Sequence, residues 1–298
     1  MFFSSEVKIG ISPLTWTNDD MPELGGNIPF TRCIKEMSKA GFLGCEVGNK
    51  FPKNPKELNA KLKEQNLEIS AGWFSSFFAD KNKKQETIGN FIKHVNFLKS
   101  VGAKIINVCE CSYATHKNST NIFANKPVLT DEEFRAVAKG LNFIGEIARK
   151  NDMYVAFHPH MGTVIQNEKE IDKLMSLTDH KKVFLLLDTG HAFFAGDNPY
   201  YLTKKYGPRI KHVHLKDVRL NILQKVKQEK LSFLEAVKLG VFTTPGDGGI
   251  YFKPIFKALK NANYQGWFLV EAEQDPKKAP PLLYAQKARY FIQKTTGL

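Results

Sequence analysis

Val183-Phe-Leu-Leu-Leu-Asp188-Thr-Gly-His191 is an apolar run, short enough for a buried strand, that stops abruptly at an acid and an imidazole. Three other stretches repeat the pattern: Met153-Tyr-Val-Ala-Phe-His158-Pro-His160, Ile210-Lys-His212-Val-His214-Leu-Lys216-Asp217 and Trp267-Phe-Leu-Val-Glu271-Ala-Glu273. Short apolar runs of this kind are typical of parallel strands covered by helices on both faces. Parallel barrels and open α/β sheets build their sites at the carboxyl ends of strands, where these polar residues fall.

Four earlier runs, at residues 7–12, 43–47, 67–73 and 103–109, join those at 153–159, 183–188, 210–216 and 267–272 to make eight candidate strands. Amphipathic segments with apolar residues three and four apart separate most of them, at 30–40, 55–65, 87–101, 131–150, 169–177 and 252–262. Thr130-Asp-Glu-Glu133 has the form of a capping box at a helix start. Eight βα units without a linker predict an α/β fold, a (β/α)8 TIM barrel, as one domain over residues 1–298. An open doubly wound sheet is the alternative, but no Gly-x-Gly-x-x-Gly follows the first strand. Two connections are long. Residues 112–129 contain Tyr113, His116, Lys117 and Asn118, while 217–249 contain a short helix at 230–239 and a glycine-rich turn at 245–249. Loops of this length on the active face are expected to carry lids and substrate contacts.

At 298 residues, 42% hydrophobic and 24% charged, the chain has the make-up of a folded protein with a large core. No apolar run approaches the roughly 20 residues of a membrane helix. The start, Met1-Phe-Phe-Ser-Ser-Glu6, lacks a secretory pattern, so a cytoplasmic protein is expected. Cys33, Cys45, Cys109 and Cys111 have no metal or redox spacing and are read as reduced thiols. The formal charge of +13 invites a nucleic-acid partner, but the lysines are spread along helix-like segments without a basic stripe. Nucleic acid and membrane are therefore not expected partners.

Asp188, His214 and Glu271, each ending a late strand, form a donor set for divalent Mn, Co, Zn or Fe, and His158 at the fifth strand is a candidate to complete it. His160, His191 and Lys216 are candidates for proton transfer. His160 and Lys216 share a strand face with His158 and His214, whereas His212 is expected to face the helical layer. In the first half, Trp16, Asn18, Asp19, Trp73 and Glu110 are candidate substrate contacts. The aromatic rings suit the apolar face of a sugar or cyclitol and the polar groups its hydroxyls. Local capping is the competing role for Asn18 and Asp19.

Asp188-Thr-Gly-His191, His212-Val-His214-Leu-Lys-Asp217, the Gly246-Asp-Gly-Gly249 turn and Tyr264-Gln-Gly-Trp-Phe-Leu-Val-Glu271 resemble the xylose isomerase-like barrel superfamily over most of the chain. Its epimerases and isomerases draw metal ligands from a late-strand Asp, His and Glu and from a strand-five Glu, with a substrate-contacting histidine three residues after the Asp. The resemblance puts those roles on Asp188, His214, Glu271 and His191, and finds His158 where the strand-five Glu stands. With Phe157-His-Pro-His-Met-Gly-Thr163 and Trp16-Thr-Asn-Asp-Asp-Met-Pro-Glu-Leu-Gly25, it narrows to the inosose dehydratase family.

What this implies is elimination of water from 2-keto-myo-inositol, giving a trihydroxycyclohexane dione in inositol catabolism. Manganese or cobalt is the implied metal. Glutathione belongs to the family's description, but no feature of this sequence supplies a site for it. The implied partner is a small cyclitol, with a homo-oligomer allowed. His191 or Lys216 is the expected base and His160 the expected acid. An epimerase or isomerase on the same barrel is the rival reading, and a three-zinc endonuclease the more distant one.

Overall fold

Apolar strands of three to nine residues can hide both faces only inside a shell of helices. In the computed structural model, which describes Phe2 and residues 6–298, that is what they do. The barrel strands are β1 (Val7–Ile11), β2 (Gly44–Glu46), β3 (Glu68–Ser76), β4 (Ile105–Glu110), β5 (Tyr154–Phe157), β6 (Val183–Asp188), β7 (Ile210–Leu215) and β10 (Gly266–Val270). Between the last two lies a small antiparallel pair, β8 (Asp217–Val218) and β9 (Phe242–Thr243). The eight parallel strands close in the order β1-β10-β7-β6-β5-β4-β3-β2, as the eight-unit cadence predicts.

Most of the core lies between this sheet and the surrounding helices. A separate cluster of Ala71, Ile105, Ala156 and Leu186, one each from β3, β4, β5 and β6, packs together. Strand side chains alternate, so residues two positions on share that face. They are Trp73, Asn107, His158 and Asp188. Register adds the rest, pairing Asp188 with His214 across β6 and β7, and His214 with Leu269, two before Glu271, across β7 and β10. The polar endings of the late strands thus meet above an apolar layer.

Several elements depart from expectation. The helix placed at 230–239 begins only at Phe233, because Ser232 and Glu235 form a capping box there. Strand β3 runs on to Ser76. Helices Thr189–Ala195, Pro199–Tyr206, Leu220–Gln228 and Pro281–Thr296 are additional. Among the described residues, no helix is long and apolar enough to cross a membrane.

Candidate metal centre

The geometry around Asp188 follows from the short helix that starts immediately after it. Asp188 is the N-cap of Thr189–Ala195, and its Oδ1 accepts the His191 amide at 2.8 Å. That leaves Oδ2, which is buried and has no hydrogen-bond partner. Gly190 is required by close approach, since a Cβ there would stand 2.5 Å from the Lys216 side chain. Thr189 Oγ1 donates to the Lys216 carbonyl at 2.6 Å, tying this helix to the end of β7.

Around Asp188 Oδ2 stand His214 Nδ1 at 3.4 Å and His158 Nε2 at 3.5 Å, and Glu271 Oε2 lies 3.3 Å from the same His214 nitrogen. Each imidazole has its other nitrogen engaged. His158 Nδ1 meets the Pro159 carbonyl at 2.8 Å, which requires an N–H there and leaves Nε2 with a lone pair. His214 Nε2 lies 2.9 Å from Glu46 Oε1, so it donates and Nδ1 becomes the ligand nitrogen. His214 Nδ1 is itself buried and unpartnered. Two orphaned atoms, a second imidazole lone pair and a second carboxylate converge on one point. This donor set fits a divalent metal, and His158, Asp188, His214 and Glu271 would hold it.

Glu46 receives three donors on one oxygen, from His212 and His214 at 2.9 Å each and from the Asn107 amide. Burial alone would raise its carboxyl, but the two imidazoles hold it down to about 2. His212 therefore faces into the barrel, not the helical layer as expected. It follows the same strand alternation that puts His214 and Lys216 on that face. Outer carboxylates of this kind commonly set metal affinity within a factor of about 10–100. Glu46→Gln is accordingly expected to weaken metal binding about tenfold or more while the fold survives. Competition against a chromophoric chelator measures it, and an unchanged affinity would remove Glu46 from this role.

The proton-transfer candidates also meet here. Lys216 is fully buried, with Nζ 2.6 Å from Glu271, 2.8 Å from Glu273 and 3.4 Å from Asp188. Burial opposes its charge, but the three carboxylates raise its pKa above the ordinary lysine value. Three carboxylates around Nζ favour the cationic form of Lys216, a donor, over the base expected from sequence. His191 Nδ1 accepts the Met161 amide at 3.3 Å, so its proton sits on Nε2, 3.6 Å from Glu273 Oε1. Burial, then Lys216, lowers its pKa to about 4. His160 Nδ1–H donates to the Met161 carbonyl at 2.8 Å, leaving a lone pair on Nε2. Burial and then the charges of neighbouring histidines and Lys216 lower it well below the ordinary imidazole range.

Among the described residues, three groups of donors lie close enough to hold a cation: His158, Asp188, His191 and Glu271; Glu46, His212 and His214; and His160, His191 and Glu273. In the second, the shared oxygen is already saturated by donors. In the third, Lys216 sits beside Glu273, and both imidazoles spend Nδ1 on the backbone. In the first, the tautomer that Met161 imposes turns His191 from ligand to donor, and His214 offers the imidazole nitrogen nearest both carboxylates.

Of the first-half residues, Trp73 reaches the site. It is 41% exposed, its ring centroid 5.4 Å from His158 and 5.9 Å from His160. Trp16 does not: it is wholly buried behind the turn Pro13–Thr15, and its Nε1 donates to Glu36 at 2.6 Å. Glu110 is also buried, accepting from the Ser76 hydroxyl and from the Phe78, Ala79 and Ser112 amides, so it braces loops instead of meeting substrate. Asn18 Oδ1 accepts the Asp20 and Met21 amides, which makes its role the local cap. Asp19 is exposed. Asp217 likewise turns away from Lys216 to collect the Val218, Gly246, Gly248 and Ile250 amides.

Sequence reading missed the positions of Glu273, Phe233 and Phe242. Glu273 was visible two residues after Glu271, on the same strand parity. Phe233 and Phe242 come from the long 217–249 connection, with ring centroids 5.9 Å and 5.2 Å from His191.

A family model described as xylose isomerase-like TIM barrel matches residues 27–294. Inosose dehydratases are similar over full length: that of Bacillus anthracis is 52% identical over 299 residues, covering 100% of both chains. That of Clostridium tetani is 51% identical, again over 100% of both. Solved structures share the fold at low identity. The IOLI protein with a bound zinc atom superposes with a TM-score of 0.70 at 17% identity, over 97% of this chain and 96% of that one. The probable 3-DHS dehydratase AsbF from Bacillus anthracis gives 0.70 at 15%, over 96% and 98%.

Proposed function

The chain belongs to the xylose isomerase-like TIM barrel family and, within it, to the inosose dehydratases, and from that premise we propose how its residues eliminate water from 2-keto-myo-inositol. The reaction removes the proton on the carbon beside the ketone and the hydroxyl one carbon further on. Water leaves, and the enol that remains becomes the trihydroxycyclohexane dione. The observation that carries the reading is the convergence of His158, Asp188, His214 and Glu271 beside three further proton-handling groups. When bound, a divalent metal supplies electrophilic stabilisation of the charge that grows on the ketone oxygen.

The chain's own groups divide the remaining work. His160, whose Nε2 lone pair is free, is the group placed to take the α-proton, acting as a weak base because burial holds its imidazole well below the ordinary range. Lys216, an ammonium among three carboxylates, is suited to donate towards the departing hydroxyl. This reverses the acid and base expected from sequence, because each ring's backbone hydrogen bond fixes its tautomer and the carboxylates keep Lys216 charged. His191, its Nε2–H held near Glu273, orients a substrate oxygen, and Trp73 covers the ring's apolar face.

Two nitrogens and two carboxylate oxygens form a borderline set. It favours cobalt over manganese on intrinsic affinity and also accepts zinc or iron, with availability deciding in the cell. A neutral imidazole at the β5 position also disfavours the epimerase alternative, which needs a second metal-bound carboxylate there to act as a base. Incubating protein reconstituted with cobalt or manganese with 2-keto-myo-inositol tests the reading through the dione's ultraviolet absorbance. Dione formation supports it; turnover of a ketohexose without dione overturns it in favour of epimerisation.

A further inference from the structure

The 112–129 connection brings into the site one imidazole that none of the roles above uses. His116 is 9% exposed, and its Nδ1 is buried with no hydrogen-bond partner. It is firmly seated. Thr115 donates both its amide, at 2.7 Å, and its hydroxyl, at 3.2 Å, to the Gly162 carbonyl. Gly162 has φ 73°, and a Cβ there would stand 2.8 Å from the His116 amide nitrogen, so the two loops can lie this close only with glycine. On its other side, Asp20 Oδ2 lies 3.7 Å from His116 Nε2, while Asp20 Oδ1 pairs with Lys117 at 2.7 Å. The ring packs against His160 at 5.1 Å and Phe233 at 6.2 Å between centroids.

A buried nitrogen without a partner costs about 1–3 kcal/mol, which a ligand that satisfies it removes. A carboxylate facing Nε2 favours the proton on that nitrogen and leaves Nδ1 as an acceptor. We propose that His116 is a substrate-recognition residue, its Nδ1 accepting a hydrogen bond from a ring hydroxyl of the cyclitol, with Asp20 and Lys117 as positioning residues that hold it. This rests on the keto-cyclitol reading above. A polyhydroxylated ring presents donors around its whole rim, and the metal ligands, His160 and Lys216 serve the carbons that react. His116 serves one that does not, and so reads the substrate's identity.

The test is steady-state kinetics of His116→Ala and Asp20→Asn on 2-keto-myo-inositol and its monodeoxy analogues, with calorimetric binding of unreactive myo-inositol. His116→Ala raises KM about 10- to 100-fold, leaves kcat within about threefold, and leaves metal affinity unchanged. For the one analogue that lacks the recognised hydroxyl, wild type and His116→Ala become equal. Asp20→Asn shifts KM the same way by less. A KM within about twofold of wild type for His116→Ala overturns the proposal, as does an equal loss on every analogue or a loss confined to kcat. If the wild type fails to dehydrate the ketone, the dehydratase reading falls, but calorimetry still decides. Weaker myo-inositol binding by His116→Ala upholds recognition, and equal binding overturns it.

Discussion

Asp188→Asn is expected to lose metal and activity together while keeping the fold. Asparagine retains an oxygen that can accept the His191 amide, so the helix that starts after it keeps its cap. What is lost is the negative charge on Oδ2, the buried atom without a partner that faces both imidazole ligands. A neutral amide oxygen is a much poorer ligand, so metal affinity should fall at least about 100-fold, more than loss of an outer carboxylate causes. Dehydration should fall by about 10³-fold, the rate equivalent of some 4 kcal/mol of electrostatic stabilisation. Dialysis followed by metal analysis and a thermal melt separates this from misfolding. A variant that keeps its metal and a rate within tenfold of wild type would show that the centre lies elsewhere.

The second large effect is on stability. Lys216→Met removes the cation shared by Asp188, Glu271 and Glu273, leaving three buried carboxylates to repel one another. Breaking a buried ion pair from one side costs about 3–5 kcal/mol, roughly 10 °C in Tm for a chain of this size. The effect depends on pH, with a sign that identifies its cause. In the wild type, burial would raise all three carboxyls, but Lys216 and the histidines lower them. Their contribution is present above the unfolded value near 4 and is lost as pH falls below it.

In the variant, burial and mutual repulsion raise the folded values above the unfolded ones. The folded variant then takes up protons on these carboxyls as pH falls from 7.5 to 5, which stabilises it relative to the wild type, whose three carboxylates stay ionised over that interval. The gap in Tm, measured with a chelator present, should narrow on acidification. A gap of equal size at both pH values would assign the loss to packing alone.

The barrel was legible because buried parallel strands carry their own signature, and all eight expected strands are present. Asp188, His214 and Glu271 were legible for the same reason: a polar residue ending an apolar strand can point only to the active face or into the helical shell. Less legible were the parts that depend on side-chain direction outside strands. Trp16 follows a 3-10 turn, not a strand, and its ring goes into the core. Glu110 has the parity opposite to Asn107 and points to the loops, although it ends β4 as neatly as Asp188 ends β6.

The closing helix Pro281–Thr296 carries little apolar signal because, apart from Ile292, its buried face is made of the small or polar residues Pro281, Ala285, Ala288 and Thr296. The tautomers of His158, His160 and His191 depend on backbone carbonyls and amides that no spacing encodes, and the proposed reversal of acid and base rests on them.

On the reading proposed above, one metal, held by His158, Asp188, His214 and Glu271, is needed for dehydration of the keto-cyclitol. The most direct measurement titrates chelator-stripped protein with cobalt(II), recording the visible spectrum and the rate of dione formation on the same sample. Inert stripped protein that regains its full rate in step with a single equivalent of cobalt is the expected result. Dione formation without metal, or a rate that climbs only as further equivalents bind, would contradict it.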